Sequence, residues 1–61
     1  MDEEVGIVRQ FARQLVDWHG EAALQEAEER VAHALNQGDA VMVRAWLDIE
    51  AAVREELHAG K

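Results

Sequence analysis

The sequence predicts an all-α protein that folds as a compact three-helix bundle, and three observations carry that prediction. Proline is absent, and alanine, glutamate, leucine and arginine, all strong helix formers, are abundant. Apolar residues recur at spacings of three and four, the period of an amphipathic helix. Gly20 and Gly38 interrupt this pattern, and glycine commonly follows the last turn of a helix. With 61 residues, we expect a single domain over 1–61.

The first helix is predicted near 3–18. Asp2 is suited to cap it, with acidic residues in its first turn favoured by the helix dipole. Its apolar face is predicted to consist of Val5, Val8, Phe11, Ala12 and Leu15, with His19 at its end. Ile7 and Trp18 widen this face on one flank and Val16 widens it on the other, so the apolar sector covers nearly half of the helix circumference.

The second and third helices are predicted near 21–37 and 40–58, the latter capped by Asp39. Helix 2 has a narrow face of mainly small residues, namely Leu24, Ala27, Val31, Ala34 and Leu35. Helix 3 has a continuous apolar stripe of Met42, Trp46, Ile49, Val53 and Leu57, with Val43 and Leu47 beside it. The links between helices are short, so consecutive helices should form antiparallel hairpins.

Four oppositely charged pairs with i,i+4 spacing support the helical register. They are Arg13–Asp17, Glu26–Arg30, Arg44–Asp48 and Glu50–Arg54. Each is expected to add only about 0.2–0.5 kcal/mol to its helix, so these pairs carry no information about function.

The apolar faces of helices 1 and 3 are wide, and the apolar face of helix 2 is too narrow to cover both of them. Either these two helices bury each other's excess in an ordinary core, or Ile7, Trp18, Val43 and Leu47 remain exposed as a partner-binding patch. Burying such a patch would favour association. The leading functional hypothesis is therefore a protein-interaction module that binds a protein partner or forms a homodimer.

The formal net charge of −7 argues against direct binding to nucleic acid or to anionic lipid. An alternative hypothesis is a small acidic inhibitor or nucleic-acid mimic encoded by a mobile element, which would need its carboxylates clustered on one face. A helical DNA-binding regulator is less favoured, because helix 3 offers only Arg44 and Arg54 as positive side chains among more numerous acidic ones.

Residues suited to catalysis are scarce, so we expect no enzyme, no catalytic residues and no cofactor. The sequence lacks serine, threonine, tyrosine and cysteine, which removes the usual nucleophiles. Its three histidines have no metal-binding i,i+4 spacing, and no metal site is expected. We interpret His19 as a partly buried histidine that complements a helix end. The first residues are acidic, unlike the start of a signal peptide, and no apolar run is long enough to span a membrane. We therefore expect a cytoplasmic protein.

From Trp18 onward the pattern resembles a family of short uncharacterised bacterial proteins, a domain of unknown function. The matching residues are His19-Gly20, Ala27, Glu29-Arg30-Val31, Ala34-Leu35, Gly38-Asp39, Val43, Trp46, Ile49 and Val53. Gly38-Asp39 followed by Trp46 is the most characteristic part. The resemblance covers about two thirds of the chain and implies a compact helical fold without an established activity.

Overall fold

A computed structural model describes residues 2–59 of the chain, and the side chains of residues 6–59. It contains three α-helices, α1 (Asp2–His19), α2 (Ala22–Gln37) and α3 (Ala40–Ala59). The predicted three-helix bundle is thus confirmed, with helix ends within one residue of the expected positions. The predicted cap by the Asp2 side chain and the predicted burial of Val5 lie outside the described side chains.

Both helix-ending glycines adopt the left-handed conformation that the sequence predicts. Gly20 has φ of 60°, and its N–H donates to the carbonyl oxygen of Val16 at 2.7 Å. Gly38 has φ of 71° and donates to the Leu35 carbonyl, while the Asp39 N–H donates to the Ala34 carbonyl at 3.0 Å. This second pair of bonds is a Schellman motif, which satisfies carbonyls that would otherwise lack a partner at the end of α2.

Asp39 also starts the next helix, as predicted. Its Oδ1 accepts a hydrogen bond from the backbone N–H of Met42 at 3.1 Å, the bond expected of an N-cap. The start of α2 differs, because Glu21 has helical dihedral angles and makes no side-chain capping bond. The turn between α2 and α3 therefore has a side-chain capping bond that the turn between α1 and α2 lacks.

We expect Asp39→Ala to lower the free energy of unfolding by about 1 kcal/mol, because the first turn of α3 loses its capping acceptor. Urea unfolding followed by circular dichroism measures this change. Asp39→Asn keeps a side-chain oxygen at the same place and should stay close to the unsubstituted protein. An equal loss in both variants would show that charge rather than capping matters at this position.

Helix α3 packs against both other helices, and α1 and α2 meet each other over a smaller area. The molecule measures 35 × 29 × 15 Å, and its shortest dimension holds no more than two layers of helix. Few positions are therefore enclosed on all sides. The buried residues within 6–59 are Ala12, Leu15, Ala23, Ala27, Ala34, Ala52 and Val53. Five of these seven are alanine, so the core contains few large side chains.

Three large residues assigned to the apolar faces are not buried. Leu35 is 63% exposed, and Phe11 and Met42 are each about two-fifths exposed. These expectations were wrong because the phase of a residue on its helix does not fix how much of its side chain a neighbouring helix covers. Val8, Val16, Leu24, Trp46, Ile49 and Leu57 are half-buried around the core.

Three of the four predicted local ion pairs form. The nitrogen–oxygen distances are 3.0 Å for Arg30–Glu26, 3.7 Å for Arg44–Asp48 and 3.0 Å for Arg54–Glu50. The fourth prediction was wrong, because Arg13 of α1 reaches Glu56 of α3 at 3.5 Å instead of Asp17 in its own helix. This exposed pair is a contact between α1 and α3, and it is expected to contribute at most about 1 kcal/mol.

Candidate interaction surfaces

The first candidate surface runs along α1 and is called the α1 stripe, made of Ile7, Phe11, Gln14 and Trp18. Successive spacings of four, three and four place these residues on one side of the helix, the spacing of a coiled-coil seam. Ile7 is 65% and Trp18 is 73% exposed. The two residues that the sequence predicts on this flank of α1 are thus solvent-accessible over most of their area.

Aromatic contacts anchor the middle of the α1 stripe to the bundle. The Phe11 ring meets the Trp46 ring of α3 edge to face, with centroids 5.7 Å apart and planes at 80°, a favoured aromatic geometry. The Arg30 guanidinium of α2 lies 5.8 Å from the Trp46 centroid, within range of a cation–π interaction. Glu26 accepts a hydrogen bond from Arg30 at 3.0 Å. This chain of contacts joins all three helices and fixes the position of Phe11.

The polar residues around the α1 stripe carry little net charge. An open depression on this side of α1 is lined by Ile7, Phe11, Gln10, Gln14, Arg13 and Asp17, with one positive and one negative side chain. Counted over whole helices, acidic residues outnumber arginines by four to two in α1, three to one in α2 and four to two in α3. The three helices therefore have the same net charge, and it is the lining of this depression, not α1 as a whole, that is balanced.

A second candidate surface lies at the turn between α2 and α3, and we call it the turn groove. Its apolar walls are Leu35, Val43 and Leu47, with Asp39, Ala40 and Arg44 around them. Leu47 is 45% exposed, and Val43 is half-buried. No α1 residue lines this groove. The four residues predicted as one patch are thus distributed over two surfaces, Ile7 and Trp18 on α1, and Val43 and Leu47 at the turn.

Two contributions to these surfaces were missed by the sequence analysis. Leu35 was assigned to the core, yet it forms a wall of the turn groove. The contacts of Trp46 with Phe11 and Arg30 join residues from three helices, and helical periodicity carries no signal for such contacts.

None of the ionisable residues within 6–59 is buried. His19 is exposed, so the expectation of a partly buried histidine at the end of α1 was wrong. Within the described part of the chain, no three histidine or acidic residues are grouped closely enough to hold a metal ion. One wide depression brings five ionisable residues together over the buried Ala52, namely Arg9, Arg54, Glu55, Glu56 and His58.

None of the helices within 2–59 combines the length and the apolar character needed to cross a lipid bilayer. Comparison with protein-family models, curated proteins and solved structures finds no match to this chain. The resemblance to short bacterial helical proteins, suggested by Gly38-Asp39 and Trp46, therefore stays a prediction.

Proposed function

We propose that this protein is a non-enzymatic interaction module that works as a homodimer. The observation that carries the proposal is the mismatch between its core and its surface. The core is mostly alanine, whereas Ile7, Trp18 and Leu35 are more than half exposed. Large apolar residues are normally the ones that a chain buries, and a second copy of the chain would cover part of this exposed apolar surface.

The energetic argument starts from chain size. A single core in a chain shorter than ~70–80 residues rarely supplies more than about 3–5 kcal/mol, and small proteins often add oligomerisation. The exposed parts of Ile7, Phe11 and Trp18 amount to roughly 400 Å² per copy, taking ~150–250 Å² for a whole aromatic side chain. Removing this apolar area from water favours association. The gain is opposed by the loss of translational and rotational freedom and by the ordering of side chains at an interface.

The charges support a protein partner over a nucleic acid. Arg44 and Arg54 of α3 are both engaged by acidic neighbours, Asp48 at 3.7 Å and Glu50 at 3.0 Å, and so offer little free positive charge to a phosphate backbone. A nucleic-acid mimic would need its carboxylates on one face, and four of the nine acidic residues between 21 and 58 are paired with arginine, namely Glu26, Asp48, Glu50 and Glu56. We propose a cytoplasmic location, since a chain without cysteine loses no disulfide in a reducing compartment.

Sedimentation equilibrium over a concentration series from low micromolar upward tests the proposal. We expect a mass approaching twice the 6.9 kDa of one chain as concentration rises. The thermal midpoint should rise with concentration as well, because assembly stabilises the folded state by mass action. A single-chain mass at every concentration, together with a constant midpoint, would contradict the homodimer.

A further inference from the structure

We draw no further inference here: the strongest candidate, the α1 stripe with its exposed Ile7, Phe11 and Trp18, carries nothing beyond the proposed function, because nothing in the structure shows what covers it and the balanced charges beside it select no partner.

Discussion

Leu15→Ala is expected to unfold most of the protein at 25 °C. Leu15 is the largest of the buried residues and lies in the cluster formed by α1, α2 and α3 with Ala12, Ala23, Ala52 and Val53. Truncating a buried leucine costs about 2–5 kcal/mol, because the transfer energy is lost and a cavity remains. That cost is comparable with the ~3–5 kcal/mol that one small core supplies. The neighbouring alanines have only methyl groups, so filling the space would require movement of the larger half-buried side chains around the core.

Leu35→Ala is the matched control, since it removes the same atoms from a side chain that is mostly exposed. Exposed substitutions usually change stability by no more than about 0.5 kcal/mol. Urea unfolding followed by circular dichroism, with both variants at one protein concentration, measures the difference. Similar losses in the two variants would mean that Leu15 is not at the centre of the core.

The parts of the fold that depend on neighbours in sequence were predictable. Helix ends were located because Gly20 and Gly38 permit a left-handed turn, and because Asp39 offers a capping oxygen within three residues of its partner. The ion pairs Arg30–Glu26 and Arg54–Glu50 are also local, since their partners are one helical turn apart. Each of these features is decided by interactions that a short segment can make by itself.

The distribution of burial was not predictable in the same way. Periodicity identifies the face of a helix, but not how far a neighbouring helix extends along it or at what angle it crosses. Phe11 and Met42 have the correct phase for burial, yet each is about two-fifths exposed. Arg13 illustrates the same limit, because its partner Glu56 is remote in sequence and becomes available only through the packing of α1 on α3.

Four residues of the candidate surfaces were predictable within each helix, but their grouping across helices was not. Ile7 and Trp18 extend beyond the buried face of α1, and both are mostly exposed in the structure. Val43 and Leu47 were identified in the same way on α3. Their assignment to the turn groove with Leu35, rather than to a patch shared with α1, depends on which side of α3 each neighbouring helix occupies. No pattern within a single helix contains that information.

Ala27→Leu is expected to destabilise the protein by about 1–3 kcal/mol, because an added isopropyl group overpacks a closely fitted position. Ala27 is fully buried on α2, the helix whose small residues let α3 approach closely. Alanine and leucine differ little in helix propensity, so the change reports packing rather than helix formation. Separation of α2 from α3 would also disturb the contact between Arg30 and Trp46, and tryptophan fluorescence should change with the loss of stability.

Ala32→Leu provides the comparison on the same helix, because Ala32 is exposed and a larger side chain there meets solvent. Its free energy of unfolding should stay within about 0.5 kcal/mol of the unsubstituted protein. If Ala27→Leu were neutral or stabilising, the space beside Ala27 would be large enough for a leucine. The thin alanine core would then reflect incomplete packing inside the monomer. In that case the exposed apolar residues could be covered by repacking one chain, and the main support for the homodimer would be lost.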